Sequence, residues 1–333
     1  MDRLILNFEI SGCNNNCFHC HCHGGLAETE LLSIDQVIDI SESFLEGVED
    51  IYVFLVQEQT LYHDFFKLVE ELSKRGFMGK GNQKALVSNC WGLAKREGFM
   101  DQLVDHFNFV KPTLFGLEST HDQHVGRKGH FNEIIEATRQ SLARGIEVGW
   151  QVMLTRKNAG ELDDLYQLGR EMGLEEDKIF ITAEYLYTGT FLENSSDYLP
   201  GSDDLEKVSR PIYEQEEGIL MTEKDLIQAL EEGREFEIEK VGLEQIYIDG
   251  SLNVYPISHL EPEFLLGNLN HDSVQDILEQ IIDGKNLPTA IIDKRNLTLK
   301  ELVAQYGNKD SRDLYTPQSL FDKLSWKALG KSE

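Results

Sequence analysis

Apolar residues along the chain follow two alternating rhythms. Short β-rich runs occur at Leu4–Glu9, Asp50–Leu55, Ala85–Ser88, Asn108–Phe115, Glu147–Leu154 and Lys178–Glu184. Between them, Ile34–Leu45, Tyr62–Lys74, Phe131–Arg144 and Glu161–Met172 repeat apolar residues at i, i+3, i+4 and i+7, the spacing of an amphipathic helix. Asn132 and Asn158 stand near helix starts, and Gly145 and Gly173 stand where C-terminal caps belong. Strand–helix alternation of this length predicts a parallel sheet, and six such units suffice for an open barrel. No sequence motif recurs with a period of about 20–50 residues, which excludes a solenoid.

After Thr190 the pattern changes. "ENSSDYLPGSDD" reads as a turn-rich linker, followed by an acidic helical stretch at Thr222–Glu235. "QIYIDGSLNVYPI" is two alternating runs joined by Asp249-Gly250, the dipeptide of a two-residue type I′ turn, so a hairpin is expected over Gln245–Ile257. "GNLNHDSVQDILEQIIDG" reads as a helix capped by Asp272 or Ser273, and one more helix is expected around Leu299–Tyr306. The expected fold class is α/β: a partial (β/α)6 TIM-type barrel over residues 1–195, an acidic linker and helix over 196–235, and a small C-terminal α+β (hairpin–helix) subdomain with its tail over 236–333.

Composition narrows the function. A chain of 333 residues, 41% of them hydrophobic, suits one large domain with a small one attached. No apolar run reaches the roughly 18 residues of a membrane span, and "MDRLILNFEISG" carries Asn7, Glu9 and no cleavage signal, so it reads as a strand. Five cysteines, an odd number and mostly clustered, favour a reducing cytoplasm and metal or redox chemistry over disulfides. The net charge of −28 argues against nucleic acid as a partner. That acidity reads first as a solvated surface, and second as an attraction for cations.

Four of the five cysteines fall within "SGCNNNCFHCHCHGG". Cys13, Cys17 and Cys20 are spaced C-x3-C-x2-C directly after the first strand, and Gly12 lets the chain turn away from it. Three thiolates in one tight loop can each bind one iron of a [4Fe–4S] cubane and leave the fourth without a protein ligand. Zinc held by four of Cys13, Cys17, Cys20, Cys22 and the interleaved histidines is the competing reading. Structural zinc sites usually draw two ligand pairs from separate turns, and no second pair follows downstream.

This spacing, at the end of the first strand of a β/α series, resembles the radical S-adenosylmethionine (SAM) superfamily, and the whole chain resembles its branch with a SPASM- or twitch-like C-terminal extension. The resemblance implies one [4Fe–4S] cluster on Cys13, Cys17 and Cys20, whose open iron chelates SAM and whose electron cleaves it to a 5′-deoxyadenosyl radical. Relatives end the second strand in Gly-Gly-Glu-Pro; "VQEQTLY" keeps only Glu58, expected to assist the SAM amino group, while Val56, Gln57 and Gln59 replace the glycines and proline. The Thr-Asn-Gly of the third strand becomes Ser88, Asn89 and Cys90 in "VSNCWGL". In "LFGLESTHDQHVGRKGHF" the resemblance assigns Glu118 to the ribose hydroxyls and Arg127 to the SAM carboxylate. Gln151 or Met153 of "GIEVGWQVMLTRKNAGELDDL" would line the adenine pocket, and "YLYTGT" would approach adenine with backbone groups.

Where SPASM proteins write Tyr-Pro-Cys, this chain has Ile257, and no cysteine follows residue 90, so C-terminal thiolates cannot hold an auxiliary cluster. Cys22 and Cys90 are left as candidate hydrogen-atom donors, against the plainer reading of small buried hydrophobes. His19, His21 and His23 flank the cluster loop as tuning or exposed residues, and Tyr185, Tyr187 and Tyr255 are pocket candidates by position.

The reading is thus an enzyme whose radical takes hydrogen from a peptide or a small sugar-like metabolite. Redox-neutral epimerisation, rearrangement or elimination is favoured, with flavodoxin or ferredoxin as electron donor and no nucleic acid or membrane partner. With the first strand expected from residue 3, no leader-peptide recognition domain is expected to be fused ahead of it, which disfavours a self-sufficient peptide-modifying enzyme unless a separate partner supplies recognition. The alternatives are a non-catalytic relative, in which the altered "VQEQ" loop has lost SAM turnover and serves binding or scaffolding, and a zinc module.

Overall fold

The structure, a computed structural model, describes residues 1–20, 22, 31–78, 84–182, 198–209 and 220–330. β1 (Leu4–Phe8) and β2 (Ile51–Leu55) run parallel, with Leu6 opposite Val53 and Asn7 opposite Phe54. β3 (Ala85–Val87), β4 (Phe109–Lys111) and β6 (Glu147–Val148) form a second parallel set, and β5 (Thr113–Leu114), β7 (Trp150–Met153) and β8 (Ile179–Thr182) a third. Two expected strands are thus each broken once. Pro112, with no N–H to donate, separates β4 from β5, and Gly149 separates β6 from β7. A Cβ at position 149 would lie 2.5 Å from the Phe109 ring and 3.2 Å from that of Phe180, so glycine is what lets both rings close over the strand.

The helices form where apolar periodicity meets a stop signal. α1 (Ile34–Leu45) starts on a capping box between Ser33 and Gln36. It is followed by α2 (Phe65–Arg75), α3 (Trp91–Lys95), α4 (Phe99–His106), α5 (Glu118–Val125), α6 (His130–Ala143) and α7 (Leu162–Glu171). Their buried faces cover one side of the strands. Leu4, Leu6, Phe8, Val53 and Leu55 share a core with Val37, Phe44, Leu68 and Leu72, Trp150 donates its indole N–H to Thr138 of α6 at 3.0 Å, and Gly169 of α7 lies against Trp150 and Ile179. Side chains alternate along a strand, so the opposite, concave face carries Asn7, Phe54, Val87, Lys111, Gln151 and Phe180.

The C-terminal third returns to the same sheet. β9 (Met221–Thr222) pairs with a late strand at Leu314–Tyr315, while β10 (Gln245–Ile248) pairs parallel to β1 on the side away from β2. β11 (Asn253–Pro256) runs antiparallel to β10, and β12 (Gly267–Asn268) closes the edge, giving the order β12-β11-β10-β1-β2. The expected hairpin forms, but through four residues rather than two. Leu252 takes a φ of 65°, and the Asp249 carboxylate accepts from the backbone N–H of Ser251 at 2.8 Å and of Asn253 at 2.9 Å.

The helix Val274–Asp283 begins on Ser273 and ends on Gly284, whose φ is 66°. The ammonium of the buried Lys294 lies 2.8 Å from His259 Nε2 and 3.0 Å from Asp322 Oδ1. Among the described residues no helix is long and apolar enough to cross a membrane.

Candidate active site

The cysteine loop leaves β1 and is tied at once to the exit of β2. Ser11 Oγ donates to the Glu58 carbonyl at 3.0 Å, and Glu58 N–H donates to the Gly12 carbonyl at 3.3 Å. Further along, Asn16 and Phe18 donate their N–H groups to Val125 and His124 at the end of α5, at 3.0 and 3.1 Å. Gly126 permits that approach: its φ is 65°, and a Cβ there would meet the Asn16 carbonyl oxygen at 2.9 Å.

Cys13, Cys17, Cys20 and Cys22 are half-buried, whereas Cys90 is buried. Burial first, and then the charge of Glu58, raises the Cys13 thiol to about 11. Burial, reinforced by Cys13 and Cys20, raises Cys17 as well. Two N–H donors face Cys13 Sγ, the Asn15 backbone at 3.5 Å and the Asn89 amide at 3.6 Å. Such a set of close, mutually discouraging thiols accepts deprotonation when a cationic metal centre offsets the charge. Among the described residues no three His, Cys, Asp or Glu side chains are grouped to hold a single metal ion.

Glu58 is the hub behind the loop. Its carboxylate is 1% exposed and accepts from Thr60 N–H at 3.2 Å, Thr60 Oγ1, Ser88 Oγ at 2.8 Å and Asn89 N–H at 2.6 Å. Burial nevertheless raises its pKa. Three strand exits are thereby fixed to one another, and Asn89 is left with its side chain spanning to Cys13 and to Asn14 Oδ1, 2.8 Å away.

Two positions where glycine was expected keep the glycine conformation without the glycine. Gln57 has a φ of 61° and Cys90 a φ of 67°, in the left-handed region that costs an L-residue about 1–2 kcal/mol. Gln57 turns its amide N–H toward Glu9, the Cys22 carbonyl at 3.5 Å and the Tyr247 hydroxyl at 3.4 Å.

A histidine chain escaped the sequence reading. Phe115 N–H donates to His121 Nδ1 at 3.1 Å, which leaves the His121 proton on Nε2, 2.7 Å from His130 Nδ1. His130 Nε2 lies 2.8 Å from the Asn89 carbonyl and 3.3 Å from the Asn15 amide nitrogen, and the shorter contact, to an acceptor, places the His130 proton on Nε2. The link between the two rings requires both neutral. Burial, then His130, holds His121 well below its ordinary value; burial, then the Arg127 charge, lowers His130 to about 4. A second pair joins His19 Nδ1 of the loop to His124 Nε2 at 2.9 Å, with His124 stacked on Phe115 and lowered by burial to about 3. The one hint in the sequence was three histidines close together in "HDQHVGRKGH".

The remaining candidates are spread around this centre. Arg127 donates from Nε to Asn15 Oδ1 at 2.6 Å and pairs with Glu133 at 2.6 Å. Glu118 is exposed and accepts from Asn132 at 2.7 Å. Gln151 lies on the concave face in register with Thr113 and Phe180, its amide 3.8 Å from Met153 Sδ. Tyr255 is half-buried opposite Tyr247 on the hairpin. His21, His23, Tyr185, Tyr187 and the rest of 185–190 lie outside the described residues.

Comparison with known proteins fits this geometry. Residues 10–169 match the family model of the radical SAM superfamily. The Fe-coproporphyrin III synthase of Methanosarcina barkeri (strain Fusaro / DSM 804) is 24% identical over 168 residues, 50% of this chain and 39% of that protein. The antilisterial bacteriocin subtilosin biosynthesis protein AlbA of Bacillus subtilis (strain 168) is 24% identical over 279 residues, 82% of this chain and 59% of that protein. The chain thus spans less than two thirds of the length of these relatives. The solved structure of native anSMEcpe with bound AdoMet and Kp18Cys peptide superposes with a TM-score of 0.57 at 15% identity, over 98% of this chain and 96% of that one, a likeness of fold. Residues 10–169, which hold the cysteine loop and the strand exits locked behind it, are a radical SAM domain.

Proposed function

We propose that the chain is a radical SAM enzyme in which Cys13, Cys17 and Cys20 hold one [4Fe–4S] cluster and SAM binds beside it at the exits of β1, β2 and β3. The observation that carries this reading is three thiols on one loop, pinned by Ser11 to β2 and by Asn16 and Phe18 to α5. When bound and reduced, the pair supplies a carbon-centred radical able to take hydrogen from an unactivated carbon. The chain's own residues set the stage. Asn89 and the Asn15 backbone present N–H groups to Cys13, as donors that tune a thiolate ligand do. Glu58 fixes Asn89 through its backbone N–H and so acts on SAM by position as much as by charge. Arg127 holds Asn15 in the loop while its Glu133 partner keeps the guanidinium in place.

The positive φ at Gln57, a conformation glycine adopts readily, supports an active enzyme over a scaffold relative, because the "VQEQ" loop takes a turn that its replaced glycines would also allow. With no cysteine after residue 90, C-terminal thiolates cannot hold a second cluster, which favours a redox-neutral outcome such as epimerisation, rearrangement or elimination. Of the two thiols outside the ligand set, Cys22 is the half-buried one and Cys90 is sealed, so Cys22 is the better candidate to exchange hydrogen with substrate. AlbA's part in bacteriocin biosynthesis and the peptide bound to anSMEcpe favour a peptide substrate over a small metabolite. A flavodoxin or ferredoxin would deliver the electron.

The test is anaerobic reconstitution with iron and sulfide, reduction, and measurement of 5′-deoxyadenosine. Formation of 5′-deoxyadenosine that disappears in Cys17→Ala is the expected result. An intact cluster that never cleaves SAM would overturn the proposal in favour of the scaffold reading.

A further inference from the structure

On the concave face stands a half-buried cation, Lys111. Lys294 is paired with Asp322, Lys323 with Glu223 and Arg127 with Glu133. Lys111 is half-buried, and among the described residues it is paired with no carboxylate; its neighbour is the Phe180 ring, 5.9 Å from Nζ to the centroid. Burial alone lowers its pKa, with no compensating charge. Acids are not scarce in this chain, which has 59 Asp and Glu against 31 Lys and Arg. A half-buried lysine that no carboxylate among the described residues neutralises is open to an anion that arrives from outside.

The surroundings define what else the ligand carries. Val87 is the register partner of Lys111 on the neighbouring strand and is 52% exposed, and the Phe180 ring flanks the ammonium. Apolar surface left open next to a cation suits a binding surface better than a packed core. Val87 ends β3 two positions before Asn89, the residue whose amide reaches Cys13.

We propose that Lys111 anchors a carboxylate of the substrate while the adjoining apolar part lies along Val87 and Phe180. This inference rests on the enzyme reading above and names the chemical class of its substrate: a carboxylate next to a hydrophobic group. An acidic side chain in a peptide and a free small acid share that chemistry.

Competitive acetylation of the anaerobic, cluster-loaded protein with acetic anhydride, read lysine by lysine in mass spectrometry, tests it without depending on turnover. The probes are acetyl-Phe-Glu-amide for the peptide source, 3-phenylpropionate for the free acid, and acetyl-Phe-Gln-amide as the neutral control. Saturating carboxylate probe is expected to slow labelling of Lys111 about ten-fold or more, with little effect from the glutamine control. Protection by the peptide alone assigns the peptide source, and equal protection by 3-phenylpropionate assigns the small acid.

Calorimetry with Lys111→Gln, checked for an unchanged melting temperature, should show the glutamate peptide binding no better than its glutamine analogue. Equal labelling with all three probes, or a glutamate preference that survives in Lys111→Gln, overturns the proposal. Protection of Lys111 in a protein that forms no 5′-deoxyadenosine would sink the enzyme reading and leave the carboxylate site standing.

Discussion

Acid should unlock the histidine chain before it touches most of the fold. His121, His130 and His124 are neutral in the native protein, lowered well below the ordinary value, to about 4 and to about 3. An unfolded histidine titrates near 6.5, so below that pH the unfolded chain binds protons the native state refuses, and stability falls as pH falls. At about pH 5 each neutral histidine costs about 2 kcal/mol, and three cost about 6, within the range of a whole domain's stability. Urea unfolding followed by circular dichroism at about pH 7.5 and about pH 5 measures this loss.

The variant His130→Gln keeps an N–H for the Asn89 carbonyl but cannot titrate. Its stability should fall by about 2 kcal/mol less than the wild type's over that interval, whatever its starting value. Glu58, whose raised pKa works in the opposite direction, is present in both proteins and cancels. An unchanged pH-dependent loss in His130→Gln would refute the neutral chain.

Three further outcomes follow from the same contacts. At Cys90, Gly should be more stable than Ala by about 1 kcal/mol in thermal melts, the reverse of the usual order, because the φ of 67° suits only glycine; Ala ahead of Gly would remove the strain argument. Glu58→Gln should cost about 3 kcal/mol, since its new amide points a donor at Asn89 N–H or at the Ser88 and Thr60 hydroxyls; a loss below about 1 kcal/mol would show that the hub is not holding the strand exits. Lys294→Ala and Lys294→Met should both destabilise by about 3–5 kcal/mol, because each strands Asp322 whatever volume it fills; a loss that Met largely recovers in denaturant titrations would mean that volume, not the charge pair, matters there.

The periodic signals were the most legible. Helices Ile34–Leu45 and Leu299–Tyr306 appear with the boundaries their apolar spacing predicts, and Ser273 caps its helix as expected. Breaks inside strands were less so, because Pro112 interrupts a ladder locally and the need for Gly149 comes from Phe109 and Phe180, residues distant in sequence. The four-residue hairpin was hidden because Asp249 caps the turn with its side chain instead of forming the two-residue loop that Asp-Gly suggests. The conformations of Gln57 and Cys90 run against their residue types and could not be read locally. The histidine links span 9 and 105 positions along the chain, so only the fold brings the rings together. Lys111 was invisible for a related reason: a missing partner cannot be seen until the neighbours are known.

The central claim concerns the iron bound by Cys13, Cys17 and Cys20. Mössbauer spectra of protein reconstituted with 57Fe, recorded with and without SAM, address it directly. The account predicts a four-iron cluster in which one iron changes its signal when SAM is added, while the three held by cysteines do not. A cluster whose irons all ignore SAM, or a site that takes up zinc in place of iron, would contradict it.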